Sequence, residues 1–418
     1  MRLHHLQNSI TKRACRFLLS SLVIATAAGP LAYDLQAGAY VYTNIADTNG
    51  IFARTGQLGF GSSGISGLSI SNNGTVAFAS QLDDGSAGIF SGNGGPVTTI
   101  ALSNGPTFNG FGASVSINNF GTVAFLGFLA TGGQGLFGSN AGIITPIALS
   151  SEPLFSNFGN LSINDAGTAA FGAGLDAGGA GIFTRNGATT TTIALTTGAG
   201  GPFSTFGNAP GINASGRVAF AGVIGGTMGI RTGSGGSVTT VYEGALPQAP
   251  SAAINDAGTV AFTIGSGIGS GRAIVTASGG SLTTLFDGNE IAAVGPYPAI
   301  NSFGAVVFWR GDGLGGTAIS VRSPSDSTAA IRTGDILFGS TVTRLSLLTQ
   351  GEEQGNVDIN DGGQVAFHYE LANGVQGIAV GTPNIPEPTI LVFAFVGTVV
   401  LGCGFRRSDA RRASVDSV

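Results

Sequence analysis

The stretch Ile117-Asn118-Asn119-Phe120-Gly121-Thr122-Val123-Ala124-Phe125 recurs with small edits seven times, so the chain must fold as an array of one repeated unit. The copies run Ile70–Phe78, Ile117–Phe125, Ile163–Phe171, Ile212–Phe220, Ile254–Phe262, Ile300–Phe308 and Ile359–Phe367. Their shared pattern is I-N-x-x-G-x-V-A-F. The glycine (Gly74, Gly121, Gly167, Gly216, Gly258, Gly304, Gly363) and the closing phenylalanine are present in every copy, while the asparagine is replaced once, by Ser71, and the alanine once, by Val307. An Asn that opens a turn can accept a hydrogen bond from the backbone two residues on, and a Gly three residues later can take φ > 0, so the head of the motif predicts a hairpin loop. The V-A-F that follows has no polar face. It predicts a strand covered on both sides, in a sheet stacked between neighbours.

The glycines lie 47, 46, 49, 42, 46 and 59 residues apart. That period fits a four-stranded propeller blade, exceeds a β-solenoid rung, and is too short for one sandwich domain per repeat. In the second copy the strands are predicted at 115–118, 123–129, 135–138 and 143–149, with glycine-rich turns between them. The segment 39–55 reads as the tail of a repeat without its head, with 40–45 and 50–55 resembling third and fourth strands. The final repeat stops after three strands. A ring in which the N-terminal segment completes the last blade accounts for both and leaves no open sheet edge. The expected fold class is therefore all-β, a seven-bladed propeller of four-stranded antiparallel blades over residues 40–382, flanked by a signal helix and a C-terminal transmembrane helix.

Both flanks are apolar. Lys12, Arg13 and Arg16 precede the run 17–28 and the small-residue sites at 25–27 and 37–39, the pattern of a secretory signal peptide within 1–39. The last segment, 383–418, contains Pro386-Glu387-Pro388, an apolar stretch over 389–405, and Arg406, Arg407, Arg411 and Arg412. This tripartite tail resembles the PEP-CTERM sorting signal of Gram-negative bacteria. The resemblance implies recognition and processing by an exosortase, with Pro386, Glu387, Pro388, Arg406 and Arg407 as the sorting motif. A plain membrane anchor would share the helix and the basic end but not the Pro-Glu-Pro. The body resembles the N-x-x-G-x-x-A-F tandem-repeat proteins that often carry such tails. Basic residues flank both apolar runs on their outer sides, which places those ends in the cytoplasm and the body outside. The implied destination is the cell surface or extracellular matrix, after a membrane-anchored stage.

Composition narrows the chemistry. Between residues 40 and 384 there are nine arginines, no lysine and eighteen carboxylates, a net charge of −9 that disfavours nucleic acid as a partner. Cys15 and Cys403 both lie in the flanks, so the body has no disulfide framework. His368 is its single histidine, which leaves no material for a histidine or thiolate metal site and only one ring on which a Ser-His-Asp triad could converge. Calcium is the one ion the carboxylates suggest. Asp165, Asp256 and Asp361, however, occupy the second position of the Asn turn, where turn preference explains them, and the spacing of a calcium loop is missing. The aromatic pairs Phe108 and Phe111, Phe155 and Phe158, Phe203 and Phe206 precede three of the motifs and read either as wedges between blades or as platforms for sugars. The longest connection, before the seventh motif, holds Asp335, Glu352 and Glu353 as a candidate loop site. A structural or adhesive role, binding exopolysaccharide or another surface protein, is the primary reading. The rival is a polysaccharide hydrolase or lyase drawing a carboxylate pair from Glu243, Glu290, Asp335, Glu352, Glu353 and Glu370.

Overall fold

The computed structural model describes residues 40–384, apart from 54–66, 248–249, 266–270, 289–293, 312–314, 324–325, 346, 350–351 and 355–357. The signal segment 1–39, the Pro386-Glu387-Pro388 motif, the apolar run 389–405 and the terminal arginines, Arg406 and Arg407 among them, lie outside the described residues. The chain divides into a unit Met1–Asn384 and a unit Ile385–Val418, and the described strands belong to the first. Among the described residues no helix is long and apolar enough to cross a membrane.

The fold is a seven-bladed β-propeller of four-stranded antiparallel blades. Blade 2 shows the plan: Phe108–Ile117, Val123–Leu129, Gln134–Asn140 and Ile143–Leu149 pair in chain order. Three of these strands fall where the sequence places them. The first begins seven residues earlier than predicted and takes in Phe108 and Phe111, because two register shifts, between Phe108 and Gly110 and between Phe111 and Val115, break the alternation that would have announced a strand. Blade 4 has its first strand in two pieces, Phe203–Phe206 and Gly211–Ile212. Blades 5 and 6 keep only the inner two residues of theirs, Ala253–Ile254 and Ala299–Ile300.

The ring closes as expected. The last blade consists of Ser340–Leu345 and Asp358–Ile359 on one side of Val365–Leu371, then Gln376–Pro383, then Tyr40–Asp47. Tyr40 pairs with Pro383 and Asp47 with Gly377. One expectation needs correcting: only a single N-terminal strand is formed, and it is the fourth. Residues 50–53 make a turn and one isolated bridge, Phe52 to Leu82, because the last blade already has its third strand and has no place for another. The long connection likewise divides. Ser340–Leu345 pairs with the far end of Val365–Leu371 just as Phe108–Phe111 pairs with Val123–Leu129, so the insertion interrupts the first strand of blade 7 rather than merely preceding it.

The V-A-F triplet now has a physical meaning. Phe125 and Val123 turn toward the preceding blade, packing with Ala77, Ala79, Ile89 and Ala101, whereas Ala124 turns toward the following blade, beneath Phe155, Phe158 and Phe171. A phenylalanine from one blade fits because the neighbour presents alanine. The triplet is buried in every blade, which is the two-sided covering that an unbroken apolar run predicts. Seven apolar clusters result, each shared by two adjacent blades, including one that joins Ile45, Ala366 and Ile378 of blade 7 to Val76, Phe78 and Phe90 of blade 1. Each fully buried Phe contributes about 1.5–3 kcal/mol. Val307, the one departure at the alanine position, packs in a cluster with Ala379, which sits opposite Phe367 where blade 2 has Phe137 opposite Phe125.

Candidate functional site

The seven first strands line a central channel whose two cavities, of 270 and 290 Å³, share the ring Ser69, Ser116, Ser162, Gly211, Ala253, Ala299 and Asp358. These are the residues immediately before each motif isoleucine. Their side chains are small, and Asp358 is the one carboxylate among them. Its Oδ2 accepts from Ser69 Oγ at 3.0 Å and from the Ile70 amide at 3.0 Å, and its Oδ1 accepts from the Ile359 amide at 2.8 Å. Burial pushes the Asp358 carboxyl above the usual carboxylate range, against these three donors, which pull the other way. Serine does the same job between blades 2 and 3, where Ser116 Oγ accepts from the Ile163 amide at 3.2 Å. Asp358 is therefore a half-buried blade-to-blade clasp at the channel wall.

One mouth of the channel is made entirely of the motif turns. Every turn glycine has φ between +72° and +83°, a region that only Gly enters without strain. Asn118 Oδ1 accepts from the Phe120 amide at 3.1 Å, the local bond expected of a turn-opening Asn, and from the Thr122 amide at 2.9 Å. Its Nδ2 reaches out of the blade altogether and donates to the carbonyl of Asn164 in the next blade at 3.1 Å. Asn164, Asn213, Asn255 and Asn301 each do the same to the next Asn in turn, at 3.0 to 3.1 Å, and Asn360 donates to Ser71 at 3.0 Å. Six buried amides thus run round the mouth in one direction. At Ser71 the sequence breaks: its one hydroxyl proton is shared within its own turn between Asn73 Oδ1 at 2.7 Å and the Thr75 carbonyl at 3.1 Å.

A second ring sits one residue further on. Asp165, Asp256 and Asp361 each accept at 2.8 Å from the backbone amide of the preceding blade, at Asn119, Ala214 and Ser302 respectively. Asn119 and Asn72 play the acceptor for the amides of Asn72 and Asp361. The three carboxylates are turn residues, as expected, but the turn each one braces belongs to its neighbour. Their Oδ1 atoms face backbone amides, and the Oδ2 atoms of Asp165 and Asp361 accept from the side-chain amides of Asn119 and Asn72 at 2.9 Å. Among the described residues no three His, Cys, Asp or Glu side chains cluster as ligands to an ion would.

The remaining candidates are dispersed. The Asp335 carboxylate accepts from the Arg332 amide at 2.8 Å and closes a turn. Glu352 and Glu353 lie on the short strand Glu352–Gln354, paired with Leu347–Thr349. Glu243 pairs with Arg231 at 2.6 Å and Glu370 with Arg344 at 3.7 Å, while Glu290 lies outside the described residues. His368 is buried in the second strand of blade 7. The aromatic pairs are not sugar platforms. Phe108, Phe111, Phe155, Phe158 and Phe203 are buried, and Phe108 and Phe111 stand 5.9 and 5.8 Å from Phe125, so these rings wedge between blades.

The sequence profile of a family of unknown function (DUF7453) matches residues 24–242, just over half of the chain, and the chain belongs to that family. No curated protein matches it. Among solved structures it is similar to oligogalacturonate lyase from Vibrio parahaemolyticus, with 11% identity, 82% of this chain and 97% of that one covered, and a TM-score of 0.51. It is also similar to YCF48 bound to a D1 peptide (12% identity, 85% and 100% covered, TM-score 0.46) and to the six-bladed fucose-binding lectin of Aleuria aurantia (11% identity, 63% and 93% covered, TM-score 0.38). At these identities the likeness speaks to fold alone.

Proposed function

We propose that this member of the family is an exported scaffold or adhesin of the cell surface or extracellular matrix, delivered there by an exosortase-type enzyme acting on its C-terminal tail. The observation that carries this reading is the order Pro386-Glu387-Pro388, apolar 389–405, Arg406-Arg407, set directly behind the last strand of a closed propeller. The body supports it from the other side. Its carboxylates at the mouth hold adjacent blades together, and the ring of residues that precede the motif isoleucines puts only serine, glycine, alanine and one acid, Asp358, on the channel, a lining suited to a stiff spacer or binding ring. In this role the tail fixes the protein during export, and the rigid loops meet a matrix polysaccharide or another surface protein.

Mass spectrometry of the protein released from the surface tests the delivery. A new C-terminus upstream of Phe405 and Arg406 is expected, and an intact tail on the released protein would sink the idea. A glycan array followed by product analysis tests the role. Bound glycan recovered unchanged is expected, whereas shortened or unsaturated products would assign the protein to the polysaccharide hydrolases or lyases instead.

A further inference from the structure

The turn-bearing mouth carries two phenylalanines that the fold does not need. Phe120 and Phe303 occupy the third position of the Asn turn in blades 2 and 6 and are 74% and 79% exposed. The other blades place Asn73, Ala166, Ser215, Ala257 and Gly362 there, so the turn itself has no use for a ring. Antiparallel pairing brings the starts of the outer strands to the same face. Three of those positions are also exposed and apolar: Val41 in blade 7, Ile143 in blade 2 and Leu282 in blade 5. The apolar points are thus spread over blades 2, 5, 6 and 7 of one face, an arrangement suited to an extended partner surface.

The chain also leaves the propeller on this face. Pro383 packs against the turn glycine Gly363, and Gly381 pairs with Val365 immediately after that turn. In the sequence only residues 384–388 separate this point from the apolar run 389–405. Five residues reach at most about 17 Å. Charge selects the kind of surface: Asp165, Asp256 and Asp361 ring the mouth and would repel an anionic leaflet.

We propose that the turn face is a lipid-contacting surface, on which the Phe120 and Phe303 rings enter the interfacial region of a zwitterionic bilayer while the opposite face stays free for binding. This rests on the anchoring reading above, because a run held in the bilayer keeps the face it leaves from within reach of lipid. Exposed aromatic rings favour that interface, where an apolar body is buried against acyl chains.

The chain's own tryptophan, Trp309, is buried and donates to the Leu345 carbonyl at 3.0 Å, so a second tryptophan reports with a constant background. Full-length protein carrying Phe120→Trp, Phe303→Trp or, on the opposite rim, Phe128→Trp is reconstituted into phosphatidylcholine vesicles with and without brominated acyl chains. All three side chains are exposed, so each position is expected to accept the larger ring, which an unchanged circular-dichroism spectrum checks. Expected is at least twofold quenching of the added signal at 120 and 303 and none at 128. Flotation of the vesicles reports the anchor separately. Flotation without quenching at 120 and 303, or with equal quenching at 128, overturns the face assignment and leaves the anchor standing, whereas failure to float overturns both. A blue shift at 120 and 303 on adding a neutral soluble polysaccharide, with none on vesicles, assigns the face to saccharide and overturns the proposal.

Discussion

The Asn360 amide donates to the Ser71 carbonyl at 3.0 Å, across 289 residues of chain. It is the last link of a run of asparagine bonds that crosses every blade junction but one, and the missing link is between Ser71 and Asn118. Ser71→Asn supplies a side chain long enough to reach the Asn118 carbonyl while its oxygen accepts from the Thr75 amide, as each of the other six does in its own turn. The expected gain is about 1 kcal/mol, the net worth of one buried hydrogen bond, read as a higher urea midpoint at unchanged slope. Asn118→Ala strips the Phe120 and Thr122 amides and the Asn164 carbonyl of a partner. It should cost about 2 kcal/mol.

The second prediction concerns closure. Tyr40–Asp47 covers the outer edge of Gln376–Pro383, and Ile45 inserts into the cluster shared with blade 1. Tyr369 adds a bond from its hydroxyl to Asn44 Oδ1 at 3.0 Å. Ile45→Ala is expected to lower stability by about 2–5 kcal/mol through the cavity it leaves. Deleting residues up to Asp47 bares a complete strand edge, and an unpaired edge recruits other strands. Light scattering should then show concentration-dependent oligomers, which the full chain does not form by this route.

The closed ring, its blade count and the two-faced V-A-F strand were all readable from spacing, because a period and an unbroken apolar run leave few architectures that bury them. The partners of the polar residues were not. Asn118 announces its own turn, yet nothing in a linear string says that its Nδ2 will meet Asn164, since that contact depends on how one blade tilts against the next. Phe108 and Phe111 could be seen to recur but not to belong to a strand, because bulges destroy the period that strand recognition relies on. Asp358 is the least legible of all. It differs from Ser69, Ser116 and Ser162 by one residue type in a column that becomes visible only when the first strands are arranged round the channel.

That column suggests the third prediction, Asp358→Ser. A serine here can still accept from the Ile70 amide, as Ser116 accepts from Ile163. Burial raises the Asp358 carboxyl in the folded state, so the native protein holds this proton more tightly than the unfolded chain does. The stability it lends is fully present below the unfolded carboxyl pKa of about 3.9 and is lost as pH rises through the higher folded value. Relative to Asp358→Ser, the wild-type chain should therefore melt at progressively lower temperature between mildly acidic and neutral pH. A difference that is flat with pH, or that runs the other way, would contradict a desolvated carboxyl at the channel wall.

The fourth prediction turns on Arg231, which stands in blade 4 where blades 1, 2 and 3 have Phe90, Phe137 and Phe183. All four side chains lie over a glycine two residues earlier, respectively Gly229, Gly88, Gly135 and Gly181, where an added Cβ would collide with them. In place of ring stacking, the Arg231 guanidinium sits 5.5 Å from the centre of Phe203, donates to the Gly222 carbonyl at 3.1 Å and pairs with Glu243 at 2.6 Å. It is fully buried while Glu243 is half exposed, and desolvation lowers its pKa despite the carboxylate beside it. A buried charge paired with a solvated one recovers little of its dehydration cost, and apolar replacements of similar volume are often neutral or stabilising. Arg231→Phe is accordingly expected to leave the urea midpoint unchanged or to raise it, with Glu243 released to water. Arg231→Ala empties the same cradle and should cost about 3 kcal/mol, as other large-to-small core changes do. If both substitutions destabilise equally, the guanidinium itself, rather than the volume it fills, is what blade 4 requires.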